Sequence, residues 1–232
     1  MTQQSALPTA QDAKRRLAVP DYINIGVFSA LYFVIVALCA LVSNIIFGVA
    51  GNLLLPAFAA LLAGPVFMLL NARVRAFGAI TTMGVVLGLF LFVSGHFATS
   101  LITGIAFPLL GDLVARLGAY RNKAALLGGY VLFSFGCAGP ILPIWLMKGA
   151  YIASLERKGK DSAYIASLFG HVNTATFAGA MLAIVVGALA GGVFGLVLLR
   201  RHFALASADG DGVTVAAQSM EDASGNRLSS ID

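Results

Sequence analysis

Charge is scarce in this sequence. Its 232 residues include 15 Lys and Arg and 10 Asp and Glu, 11% of the chain, where a soluble domain carries about 25%. So few charges cannot cover the surface of a chain that is 59% hydrophobic, which excludes a soluble enzyme. The charges are also confined to residues up to Asp21, residues from Arg200 onward, and short clusters between apolar stretches, with Asp112 alone inside such a stretch. Cysteine is nearly absent. Cys39 and Cys137 both lie in apolar runs, where thiols behave as small hydrophobes, so neither a disulfide framework nor a Cys-based metal site is implied. No G-x-x-x-x-G-K-[ST] loop, nucleophile and base pair or carboxylate dyad occurs. The expectation is therefore no enzyme and no cofactor, with any ATP hydrolysis left to partner subunits. The net charge of +5 reflects cationic loops beside membrane helices and predicts no nucleic-acid role. Residues 1–21 are mostly polar and precede the first apolar run, too long a lead for a cleaved signal, so that run is expected to stay as an anchor.

Apolar sequence in bilayer-sized lengths is abundant. A spanning helix needs about 20 residues, and the 51 residues between Asp21 and Arg73 carry no charge. Asn44, Gly48, Gly51 and Asn52 mark a turn within them, predicting helices at 23–43 and 52–71. Ser94-Gly95-His96 divides the next interval into 77–93 and 98–117, and two more helices follow at 124–147 and 173–199. The predicted fold is an all-α integral membrane protein: a tail at 1–21, a six-helix domain at 22–203 and a disordered tail at 204–232, whose Ala, Ser, Gly and Asp lack apolar periodicity. Lys14, Arg15, Arg16, Arg73, Arg75, Arg116, Arg121, Lys123, Arg200 and Arg201 would share one side, against Lys148, Arg157, Lys158 and Lys160 on the other. Both termini are then expected in the cytoplasm.

The 148–171 loop contains a repeat, Ala150-Tyr-Ile-Ala-Ser-Leu155 and Ala163-Tyr-Ile-Ala-Ser-Leu168. It reads either as two amphipathic helices lying at the interface or as a lid over an external cavity. In the sixth span Gly179, Ala183, Gly187, Gly191 and Gly195 recur every four residues, a stripe suited to close helix packing or to a docked partner. Gly26 and Ala30, with Phe33 and Ala37 beyond them, give the first span a weaker version. Asp112 and Arg116, four residues apart, are expected to pair.

Candidate ligand-binding residues gather on the predicted outer side. They are His96 and Phe97 after the third span, Trp145 and Met147 ending the fifth, and His171, Asn173 and Thr174 leading into the sixth. Two imidazoles suit a metal chelate or hydrogen bonds to an organic ligand. Pro56, Pro65, Pro108, Pro140 and Pro143 break helices, freeing backbone groups of the kind that line cavities.

The phrase Leu55-Pro56-Ala57 through Ala63-Gly64-Pro65-Val66-Phe67, with Phe77-Gly78-Ala79, Ser94-Gly95-His96, Gly139-Pro140 through Pro143 and Arg200-Arg201-His202-Phe203, resembles the Trep_Strep group of substrate-binding S components of energy-coupling factor (ECF) importers. The resemblance covers about 22–203. It implies a bacterial plasma-membrane protein that captures a scarce solute, vitamin-like or haem- or iron-chelate-like, in an external pocket. It also implies docking through the first helix, and through the second and third, on a membrane coupling subunit driven by two cytoplasmic ATPases, with delivery by toppling. Gly26 and Ala30 stand where such proteins carry Ala-x-x-x-Ala. A stand-alone transporter or channel, or an assembly scaffold using the Gly stripe, are the alternative readings.

Overall fold

The computed structural model describes residues 17–48 and 51–228, with backbone alone from His202 onward. All regular elements among them are helical. The first helix, α1 (Val19–Phe47), starts where Asp21 accepts a hydrogen bond from the Ala18 N–H at 2.8 Å and Pro20 occupies a position that needs no N–H. Its buried stripe of Ile25, Ser29, Tyr32, Val36, Cys39 and Ser43 follows helical spacing, while Val27, Leu31, Val34 and Leu38 face outward.

Two helices follow where one span was expected. α2 (Gly51–Leu62) and α3 (Gly64–Arg73) meet at a 43° bend, because Pro65 in the first turn of α3 has no N–H to continue the ladder. The Tyr130 hydroxyl donates to the Ala60 carbonyl at 2.6 Å, satisfying an acceptor beside the break. α4 (Ala79–Val93) and α5 (Thr99–Leu117) then pack closely. A Cβ at Gly104 would sit 2.6 Å from the Gly88 Cα, so glycine is required for this approach.

The predicted 124–147 helix is interrupted. α6 (Lys123–Ser134) is capped by the Asn122 side chain, passes into a 3-10 turn at Phe135–Ala138, and resumes as the single-turn α7 (Pro143–Leu146). Pro140 and Pro143 enforce the break. Thr103 donates to the Gly136 carbonyl at 3.0 Å and Thr99 to the Gly139 carbonyl at 2.8 Å, so polar groups on α5 satisfy the interrupted backbone. The loop beyond holds α8 (Lys148–Arg157) and α9 (Ser162–Gly170), and α10 (Thr174–Leu228) closes the order.

Among the described residues three helices are long and apolar enough to cross a membrane, Val19–Phe47, Thr99–Leu117 and the Thr174–Arg201 part of α10, and the bent Gly51–Arg73 pair, taken as one span, makes a fourth. Ala79–Val93 and Lys123–Ala138 are apolar but shorter than the six-span expectation requires. Gly78, at φ +100°, and Ser94-Gly95 trim the first of these, and the prolines cut the second. α10 also continues as helical backbone to Leu228, where the sequence predicts disorder from 204; helical hydrogen bonds are internal to a segment and need no packed neighbour. Residues 1–16, most of the predicted N-terminal tail, and 229–232 lie outside the described part.

α10 packs on α2, α3 and α6, α1 on α2, α3 and α4, and α5 lies between α4 and α6. At the centre an aromatic cluster joins three of these elements: Tyr32 meets Phe133 edge-on at 5.3 Å, and Phe67 lies 4.8 Å from Tyr130 and 5.2 Å from Phe133. Asp112 does not pair with Arg116. Its carboxylate is turned to α4, accepting from the Gly78 N–H, the Thr81 N–H and the Thr81 hydroxyl, and from the Tyr120 hydroxyl at 2.7 Å. Arg116 instead lies over the Phe77 ring at 5.2 Å. The unsatisfied N–H groups of the α4 N-terminus make the stronger partner for an anion that is 0% exposed.

Candidate functional site

A cavity of about 390 Å³ opens at the end of the bundle opposite Asp112, within the roughly 300–1,000 Å³ range of small-molecule sites. Phe33, Val36, Ala37 and Ala40 of α1 form one wall, Leu55 and the helix-interior Pro56 of α2 a second, and Phe90 and Leu91 of α4 a third. Its base is the interrupted stretch after α6, where Cys137, Pro140 and Ile141 face it. The break that Pro140 introduces thus shapes the cavity as well as the chain path.

α8 forms the roof. Tyr151, Ser154, Leu155 and Lys158 line the cavity from above, and Tyr151 stacks on Phe97 at 5.5 Å. The Lys158 ammonium donates to the Gly95 carbonyl at 2.8 Å, tying the end of α8 to the α4–α5 turn. Asn52 reaches the Tyr164 hydroxyl of α9 at 3.5 Å. The sequence repeat has a structural counterpart, because the matching Leu155 and Leu168 are both buried beneath their helices. The polar side chains of the site include His96, Asn52, Tyr151, Ser154, Lys158 and Lys160, and among the described residues no Asp or Glu lines it. An apolar body with an anionic end is the shape and charge this lining complements.

His96 has an exposed face, yet its Nδ1 lies 3.1 Å from the Leu91 carbonyl and its surroundings press on its charge. Desolvation lowers its pKa, the Lys158 charge adds to the lowering, and the Leu91 contact works against both. Burial raises that of Tyr151, which stays a neutral donor in the roof. A histidine with a lowered folded pKa stabilises the fold at pH above its unfolded value, near 6.5, and that contribution falls away as pH drops through the lower folded value. Thermal unfolding across pH 5 to 8 is expected to show stability declining on acidification below about 6.5, and His96→Gln is expected to flatten the decline. An unchanged profile in that variant would assign the dependence elsewhere.

The sequence candidates divide. His96 and Phe97 line the cavity; Trp145, Met147, His171, Asn173 and Thr174 do not. Trp145 packs edge-on to Phe177 at 5.2 Å and donates to the Asn173 carbonyl, joining α7 to α10. Met147 is an exposed junction between α7 and α8, and His171 ends α9 with Nδ1 2.8 Å from the Ser167 carbonyl. Asn173 caps α10, accepting from the Thr176 N–H at 2.9 Å, with Thr174 the first helical residue. The docking candidates divide as well: Phe33 and Ala37 face the cavity, a Cβ placed at Gly26 would meet nothing within 4 Å, and Ala30 is exposed. Among the described residues no group of three His, Cys, Asp or Glu is placed to hold a metal ion. The structure adds Asn52, Tyr151, Ser154, Lys158 and Lys160. Tyr151 and Ser154 lie in the repeat and Lys158 follows it, which was the available signal.

Apolar helices of membrane length, glycine-mediated helix contacts and a cavity enclosed by them define a multi-pass integral membrane protein. The family described as hypothetical bacterial integral membrane protein (Trep_Strep) matches residues 19–204, and the chain belongs to it. Neither a curated protein nor a solved structure matches the chain.

Proposed function

We propose that this protein is the solute-capturing S component of an ECF-type importer in a bacterial plasma membrane, crossing it six times with both termini in the cytoplasm. The cavity under α8 is the observation that carries the reading. Aromatic and aliphatic side chains would hold the body of a vitamin-sized organic molecule, while Lys158, Lys160 and His96 receive a carboxylate or phosphate at its end. An organic anion fits these groups better than a metal chelate, because only one of the two predicted imidazoles lines the cavity. Energy would come from ATPases acting through a coupling subunit, and delivery would follow toppling of the loaded body. The shorter α4 and α6 segments would cross where the bilayer thins or where neighbouring helices cover their ends.

Mass spectrometry of the gently purified protein tests this directly, with a bound organic anion as the expected result. Ala40→Trp, placed in the α1 wall, is expected to reduce ligand retention by at least about tenfold, the loss of roughly 1.4 kcal/mol or more of binding, while the circular dichroism spectrum stays unchanged. Equal retention by that variant would remove the cavity from consideration. Transport by the chain alone in liposomes, without nucleotide, would point instead to an autonomous transporter.

A further inference from the structure

A second cleft, of about 510 Å³, lies at the other end of the bundle between the end of α3, the 118–122 turn, the start of α6 and residues 196–200 of α10. Arg75, Arg121, Lys123 and Arg200 line it, and among the described residues no carboxylate does. Its apolar side is made by Met68, Leu126, Leu196 and Leu199. Asn71, only 1% exposed, is also a lining residue: its NH2 donates to the Phe67 carbonyl at 2.8 Å, while its side-chain oxygen is buried with no hydrogen-bond partner among the described residues. Such an acceptor is costly to leave unmet. The turn beside it is strained. Ala119 and Tyr120 sit at φ 49° and 55°, the left-handed region that residues with a Cβ avoid. That path buries the Tyr120 phenol against Asp112 and leaves Arg121 and Lys123 on the cleft. Burial and the Asp112 carboxylate raise the Tyr120 pKa, so this phenol remains a committed donor and is not a ligand for the cleft.

A ligand for this place must bring negative charge to Arg75, Lys123 and Arg200 and a hydrogen-bond donor to Asn71. We propose that the cleft binds a phosphate ester that carries a free hydroxyl, the chemistry of a phosphatidylglycerol-type headgroup or of a soluble glycerol phosphate. The leucine and methionine side of the cleft suits the glyceride portion of the lipid, and basic pockets between membrane helices are places where anionic headgroups bind. This assignment does not depend on what the opposite cavity carries.

Thermal unfolding of the full chain in nanodiscs of phosphatidylcholine, with and without phosphatidylglycerol, reads the site. The anionic lipid is expected to raise Tm by about 5 °C, as ligand binding to the folded state does. Arg75→Gln, Lys123→Gln and Arg200→Gln combined are expected to abolish that difference while leaving Tm in phosphatidylcholine alone unchanged. Asn71→Leu is expected to erase the preference for phosphatidylglycerol over phosphatidylmethanol, which keeps the charge and lacks the hydroxyl. This comparison is made within each variant, so a general loss of stability does not affect it. If glycerol phosphate added to phosphatidylcholine discs reproduces the shift, the same site takes the soluble ester. No shift with either, or a shift that survives the triple variant, overturns the proposal.

Discussion

Asp112→Ala is expected to lower the stability of the folded protein by about 3–5 kcal/mol, because it strands several buried donors at about 1–3 kcal/mol each. Both carboxylate oxygens are used. Oδ2 accepts from the Gly78 N–H at 2.8 Å, the Thr81 N–H at 3.1 Å and the Thr81 hydroxyl at 2.9 Å, and Oδ1 from the Tyr120 hydroxyl. Alanine would strand donors in a place where Asp112 is 0% exposed, and a stranded buried donor costs about 1–3 kcal/mol. It would also remove the anion from the positive end of α4. Asp112→Asn keeps the shape but surrenders the charge and, in either orientation, turns its NH2 toward a donor, so an intermediate loss is expected. Arg116→Ala, which removes only an exposed contact with Phe77, should cost less than about 1 kcal/mol. Unfolding in mild detergent, followed by circular dichroism, compares the three. Equal losses for Asp112→Ala and Arg116→Ala would restore the i to i+4 ion pair that the sequence suggested.

That reversal marks what local spacing can and cannot provide. The helical segments were legible because apolar runs with sparse charge have a length scale of their own, and the boundaries at Gly48, Gly78 and Ser94-Gly95 come from residues whose backbone preference is local. Proline positions were legible too, but not their consequence, since whether a break makes a bend or a cavity depends on what satisfies the freed carbonyls. Tyr130 does so for α2, and Thr99 and Thr103 do so after α6. The site was half legible. Proximity to the predicted outer end identified His96 and Phe97, yet it equally favoured Trp145 and Asn173, which the fold uses for packing and capping. Phe33 and Ala37, named with Gly26 and Ala30 as a docking surface of the first helix, lie on the cavity wall. Rotation is set by which side chains bury together, and that is a tertiary property.

The glycine stripe of α10 makes the second large prediction. A Cβ at Gly187 would lie 2.5 Å from the Ala57 carbonyl oxygen and one at Gly195 would lie 2.8 Å from that of Gly64, while one at Gly191 would run into the carbonyl oxygens of Ala60 and Leu61. Backbone cannot give way as a flexible side chain can, and α2 is further fixed by the Tyr130 hydroxyl on Ala60. Gly191→Leu is therefore expected to cost about 3 kcal/mol or more, the upper range for overpacking, and to lower Tm in detergent accordingly. Gly179, in the same register, has nothing within 4 Å of a Cβ position, so Gly179→Ala should gain up to about 1 kcal/mol from helix propensity. The opposite signs matter for function. A stripe kept open for a partner would tolerate both substitutions in the isolated protein and fail only in assembly, whereas a stripe filled by α2 and α3 fails at Gly191 alone. The contacts put Gly187, Gly191 and Gly195 in the second class, which removes this groove as the scaffold surface and leaves any partner to dock on other faces, the exposed side of α1 with Gly26 and Ala30 among them.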